Sequence, residues 1–196
     1  MLRRRLFGKV TAIEKPYSQA AVGDIYCSDN TVVSASNYSG SGKTAVGIVI
    51  NNASGVMRIM ALTTVTYAYG GYGTDLPLTN AQTEQAAIAD LDGVNNTATM
   101  SMYFGGDSIA YYVPTGWYVG AAGELYHILQ NYITINASRV AVGLSAFAQY
   151  TVIVSSTEYD ANLHWYIYTY AGPFVLYGDM DKYIAFSTFP LKKITY

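Results

Sequence analysis

Cysteine and histidine are nearly missing from this chain, with one Cys and two His in 196 residues. A single thiol excludes a disulfide framework and any zinc site built on cysteines. Two imidazoles leave almost no stock for metal binding or acid–base work. Charge is sparse as well, at 12% of residues with a formal net charge of −2. Arg3, Arg4, Arg5 and Lys9 are four of the 11 basic residues, so the remaining chain sets 7 basic residues against 13 acidic ones. A body that negative is a poor phosphate binder, and no nucleic-acid partner is expected. No run approaches 18 apolar residues, so no membrane-spanning helix is expected either. After Met1-Leu2-Arg3-Arg4-Arg5 the chain is broken by Lys9, Glu14 and Lys15. It never builds the apolar centre of a signal peptide, and synthesis in a host cytoplasm without export by that route is expected.

What is present is an apolar fraction of 51% and 20 tyrosines. That much apolar material calls for a real core. Alternating runs over Ala20–Ile25, Thr31–Ser36 and Thr44–Asn51, with turns at 28–30 and 38–43, read as a small β unit. Two more strand-like runs follow in Met57–Tyr69. Leu125, Ile128, Leu129 and Tyr132 recur at i, i+3, i+4 and i+7, which predicts a helix over Glu124–Ile133. Thr97–Tyr112 is a second, Gly105-Gly106-interrupted helix candidate, and strands return from Val140. The class is α+β, strand-dominated, with about two helices. The domain reading is an N-terminal β attachment or oligomerisation region at 1–55 and a second domain at 56–196.

Several strings have chemical look-alikes. Gly40-Ser41-Gly42-Lys43-Thr44 ends like a phosphate-binding loop, but Asn37 stands where the first glycine belongs and no helix follows. Asp90, Asp92, Asn95 and Asn96 offer oxygens as a calcium loop would, without EF-hand order or its terminal Glu. A turn or helix N-cap is the expected reading there. Cys27 has no orienting partner and is expected to be a buried or incidental thiol. No cofactor, no metal and no catalytic residue is expected.

The second half carries a family resemblance. Residues 115–126, Thr-Gly-Trp-Tyr-Val-Gly-Ala-Ala-Gly-Glu-Leu-Tyr, followed by Ile135-Asn136, resemble the GWYLPSAGEL…IN stretch of C-type-lectin-fold domains. Asp92-Gly93-Val94-Asn95-Asn96-Thr97 resembles the DGKxNT turn that opens their first helix. Ser155-Ser156-Thr157-Glu158-Tyr159 with His164-Trp165-Tyr166 resembles their WSSTEY…AWYV segment. Val154 replaces the usual Trp, and Phe186-Ser187-Thr188-Phe189-Pro190 replaces the usual Val-Arg-Pro ending. Such domains include the variable proteins of diversity-generating retroelements, among them phage receptor-binding tips. The resemblance therefore implies a C-type-lectin-like fold, a homotrimer on a virion tail or fibre, and a C-terminal segment displaying variable side chains. Retroelements of this kind mutate adenines, and asparagine codons so altered cannot become Trp, Met or Lys. Trp165, Met180 and Lys182 then read as fixed scaffold.

Alternation supports a contact surface independently. In residues 165–170, Trp165, Ile167 and Thr169 fall on one face and Tyr166, Tyr168 and Tyr170 on the other. Six of the 20 tyrosines lie within 25 residues, 159–183. Tyrosine offers rigid amphipathic contact area at low entropic cost. The candidate ligand-binding residues are Tyr159, Asp160, Asn162, His164, Tyr166, Tyr168, Tyr170, Tyr177, Asp179, Asp181 and Tyr183. The partner expected is a host cell-surface receptor, protein or glycan, with other virion proteins holding the N-terminal region. The alternative is a structural virion or decoration protein whose tyrosine face is a subunit contact.

Overall fold

The β-branched runs early in the chain pair with one another and with the C-terminus. In a computed structural model describing residues 14–78, 80–169 and 174–196, the strands are β1 (Glu14–Lys15), β2 (Ile25–Cys27), β3 (Val32–Val33), β4 (Ala45–Ala53), β5 (Val56–Ala61) and β6 (Val65–Ala68), then β7 (Val152–Glu158), β8 (Leu163–Thr169), β9 (Phe174–Asp181), β10 (Ala185–Thr188) and β11 (Leu191–Thr195). The α-helices are α1 (Ala35–Tyr38), α2 (Glu84–Ala89), α3 (Gly93–Phe104), α4 (Ala122–Gln130) and α5 (Tyr132–Ala141). The class is α+β. A six-stranded sheet runs β1-β3-β2-β4-β5-β11, a two-stranded sheet pairs β6 with β10, and a three-stranded sheet runs β7-β8-β9.

Two helices were expected and five α-helices are present among the described residues. The largest departure is α5, whose Ile133, Thr134, Ile135 and Val140 are poor helix formers on propensity alone. Tertiary contacts override that preference. Ile135 and Ser138 are buried at i and i+3, and the Ser138 hydroxyl donates to the Gly23 carbonyl at 2.6 Å. A Cβ on Gly23 would lie 2.6 Å from Thr134 Cγ2, so glycine permits the close approach.

The boundary expected after residue 55 falls at the tip of the β4–β5 hairpin. Residues 14–55 and the later chain share one sheet, with Ile48 opposite Met60 and Met60 opposite Leu191. They also share one core, in which Ile25, Ile48 and Ile50 meet Leu125, Ile128, Ile135, Trp165, Ile167 and Leu191. The first β unit is therefore part of the same packed body. A second core lies on the other side of the three-stranded sheet, where Val154 and Met180 meet Tyr69, Met100, Ile109 and Val119.

The 115–126 string forms a junction between helix and sheet. Glu124, buried near the start of α4, accepts from Arg58 Nε at 2.9 Å, the Tyr118 hydroxyl at 3.0 Å and the Ala121 amide at 3.1 Å. Glycines 93, 120 and 123 sit where a Cβ would meet neighbouring atoms at 2.2–2.5 Å. The Asp90–Asn96 string is a turn that opens α3. Asp90 accepts from the Asp92 amide, the Asn96 side chain and the Thr157 hydroxyl. Asp92 stands at the N-cap position.

Candidate ligand-binding face

Strand alternation decides which side of β8 meets solvent. Trp165, Ile167 and Thr169 are buried, while Tyr166 and Tyr168 are half-buried on the opposite side. Tyr170 lies outside the described residues. Cross-strand register places Tyr166 between Val154 and Tyr177, and Tyr168 between Val152 and Val175. Such pairs are the unit of side-chain contact in a sheet. The Tyr166 and Tyr177 rings stack with centroids 5.7 Å apart, and Tyr150 lies 6.1 Å from Tyr168. The Tyr166 hydroxyl donates to Asp179 Oδ1 at 3.1 Å. Burial first, and then the Asp179 carboxylate, raise the Tyr166 phenol well above its ordinary range.

The same face dives into the second core at its Val154–Met180 end. Tyr166 packs against that core while its hydroxyl reaches the surface. Beyond it the sheet is open: Tyr177 is 42% exposed, Val175 43% and Tyr150 56%. Tyr150 has φ 66°, unusual for a bulky residue. Its amide donates to the Thr169 carbonyl at 2.9 Å, and the Thr151 amide donates to the Thr169 hydroxyl. These bonds hold the strained turn and aim the ring beside Tyr168, an arrangement of the kind that clusters at functional sites.

Tyr183 and Asp181 belong to a second exposed patch. Tyr183 meets Tyr72 edge-on at 5.1 Å, and both rings are more than half exposed. The neighbouring Asp181 carboxylate raises the Tyr183 phenol. This patch is pinned from beneath by a buried ion pair, Lys182 with Glu158. Lys182 Nζ also donates to the Thr74 carbonyl at 2.9 Å, and Glu158 accepts from the Leu76 amide at 3.1 Å. Backbone bonds from Gly70 to Lys182 and from Gly73 to Ala161 complete the tie between the 70–76 loop and the sheet.

Other expected contact residues take different roles. His164 is a correction: it is fully buried, stacked on Tyr69 at 4.7 Å, with Nδ1 3.0 Å from the Trp165 carbonyl. It stays on the Tyr166 side of β8, opposite Met180, at the end of the face that the second core covers. Burial pushes its pKa down to about 4, so the ring is neutral at pH 7. Tyr159 turns to the opposite side of the sheet, against Trp165, over Gly178, whose missing Cβ leaves room for both rings. Asp160 staples the β7–β8 turn by accepting from the Asn162 and Leu163 amides. Asn162 is exposed on that turn.

Thus Tyr166, Tyr168, Tyr177 and Asp179 form one cluster, and Asp181 and Tyr183 another. Tyr150, Tyr72 and Val175 were missed by sequence reasoning. Alternation reveals neighbours along one strand but not which distant loop folds beside it. Trp165, Met180 and Lys182, expected as scaffold, are all buried. Cys27 is buried among the first core, where burial raises its thiol pKa. Among the described residues no helix is long and apolar enough to cross a membrane. No group of three or more His, Cys, Asp or Glu among them is placed to hold a metal ion.

No protein-family model and no curated protein matches the chain. A crystal structure of a fimbrial protein from Bacteroides ovatus has a similar fold, with a TM-score of 0.64 and 17% sequence identity. The match covers 90% of this chain and 49% of the fimbrial one, so this chain spans about half the length of that protein.

Proposed function

We propose that this chain is a non-catalytic receptor-binding protein, an adhesin that displays the open end of the β7-β8-β9 sheet to its ligand. The observation that carries the reading is the outward cluster of Tyr166, Tyr168, Tyr177, Tyr150 and Asp179 on a rigid strand scaffold. Aromatic groups of this size supply most of the energy in protein recognition sites. A fold shared with a protein described as fimbrial agrees with a displayed, adhesin-like role.

The setting we propose is a phage tail or fibre tip, with a C-type-lectin-like domain, a homotrimeric assembly and an N-terminal region mounted on the virion. The Trp117–Glu124 string supports the domain reading, because its glycines and its glutamate occupy tight, buried junction positions. Copies presented together would raise weak single contacts by about 10²–10⁴ through avidity.

The test is binding of labelled protein to a panel of bacterial cells and to a glycan array, wild type against Tyr166→Ala and Tyr177→Ala. Each substitution is expected to weaken binding at least tenfold with unchanged circular dichroism. Unchanged binding by both variants refutes the reading. If the two substitutions instead dissociate an oligomer in sedimentation, the face is a subunit contact. Diversification is tested in the flanking DNA, which should hold a near-copy of the segment encoding residues 155–190, differing at adenines, beside a reverse transcriptase.

A further inference from the structure

The open sheet face combines two properties that select one ligand chemistry. The first is stacked and tilted phenol rings whose π faces carry negative potential. The second is the charge of the segment that builds the face. From Tyr150 to Tyr183 the chain holds four carboxylates, Glu158, Asp160, Asp179 and Asp181, and one basic residue, Lys182. Lys182 is fully buried and spent on Glu158 and the Thr74 carbonyl. Every charge this segment shows to solvent is therefore negative. Asp179 stands exposed at the rim of the Tyr166–Tyr177 pair. A carboxylate accepts about four hydrogen bonds, and the Tyr166 hydroxyl takes one of them.

We propose that this face recognises a cationic protein surface, one that presents arginine or lysine side chains over the tyrosine rings with a bond to Asp179. The proposal rests on the reading of this face as the contact surface and adds the chemistry of the partner. A guanidinium over a phenol ring gains cation–π attraction, and its planar fork matches a carboxylate. An anionic partner, such as a phosphorylated or sialylated glycan, would meet like charge here and find no exposed cation on the segment. Steering by this negative end also predicts association that slows as salt rises.

The experiment measures binding of the whole protein to an immobilised Arg-Gly repeat peptide, its Gln-Gly counterpart and polysialic acid, by biolayer interferometry at 20 and 150 mM salt. The arginine peptide is expected to bind more than tenfold tighter than the glutamine peptide, and more weakly at the higher salt. Asp179→Asn should weaken it about fivefold and Tyr177→Ala by at least as much. Glu84→Gln, on the Trp165 side of the sheet, should leave it unchanged. Equal binding of the two peptides, tighter binding of polysialic acid, no arginine-peptide binding, or equal effects of Asp179→Asn and Glu84→Gln overturns the proposal. Adhesion to cells separates the two readings. If Tyr166→Ala abolishes it while Asp179→Asn and competing arginine peptide do not, the contact surface stands and its cationic partner falls. If Tyr166→Ala and Tyr177→Ala both leave adhesion intact, the contact surface itself falls.

Discussion

Replacing Lys182 by methionine removes the cation beneath the Tyr72–Tyr183 patch and leaves Glu158 alone in the core. Both partners of this pair are fully buried. In such surroundings an unpaired charge costs about 3–5 kcal/mol. For a chain of this length each kcal/mol shifts the melting temperature by about 2–4 °C, so Lys182→Met should lower it by roughly 6–20 °C. The Leu76 amide still donates to Glu158 and keeps part of its charge satisfied, which favours the lower half of that range. The loss carries a pH signature that a plain packing defect lacks. Burial already raises the Glu158 pKa in the folded protein, and Lys182 opposes that rise. Without Lys182 the folded pKa climbs further above the unfolded value. The penalty is then full above the folded pKa and fades as acid protonates Glu158. Urea unfolding at pH 7 and pH 5 should therefore show a smaller difference from wild type at pH 5. The double variant Glu158→Gln with Lys182→Met keeps an acceptor for the Leu76 amide and removes both charges. It should be about 2 kcal/mol more stable than Lys182→Met alone, a coupling typical of residues in one network. A cost below about 1 kcal/mol for Lys182→Met, the same cost at both pH values, or an additive double variant would show that Lys182 does not neutralise Glu158 in the core.

The neutral, buried His164 makes stability sensitive to acid. Its folded pKa is about 4 against an ordinary 6.5, so the unfolded chain binds the extra proton and stability falls as pH drops from 6.5 to 4. The full loss is about 3 kcal/mol; His164→Phe, which keeps a ring on Tyr69, should flatten the denaturation midpoint over that window. Gly123→Ala would put a Cβ 2.2 Å from the Ile88 carbonyl oxygen and 2.5 Å from that of Asp90. Because both obstacles are backbone, a loss of about 1–3 kcal/mol is expected in chemical denaturation. Gly40→Ala faces open space and should stay within about 0.5 kcal/mol.

Much of the architecture was legible because period and spacing report faces. Alternation in β8 placed Trp165, Ile167 and Thr169 inside and Tyr166 and Tyr168 outside, as observed. The i, i+3, i+4 pattern located α4, whose Leu125 and Ile128 are buried, but carried it past its end at Gln130, so that Tyr132 opens α5 instead. Helix α5 was illegible because its β-branched residues argue for strand until Ser138 finds the Gly23 carbonyl more than a hundred residues away. His164 misled for a related reason: it keeps its place on the Tyr166 face of β8, but Tyr69 and Met180 of the second core cover that end of the strand.

The α+β class, the strand faces of β8, the concentration of tyrosine near the C-terminus and the negative charge around it are all written in the order of the residues. These follow from composition and from periods of 2 and 3.6, which are local properties of the chain. Tertiary structure alone decided which tyrosines meet. Tyr177 reaches Tyr166 through strand register, Tyr150 reaches Tyr168 through a strained turn, and Tyr72 reaches Tyr183 because a buried lysine ties a distant loop to the sheet. It also sent His164 and Tyr159 away from the open face, since close packing, not residue type, sets which side chains reach solvent.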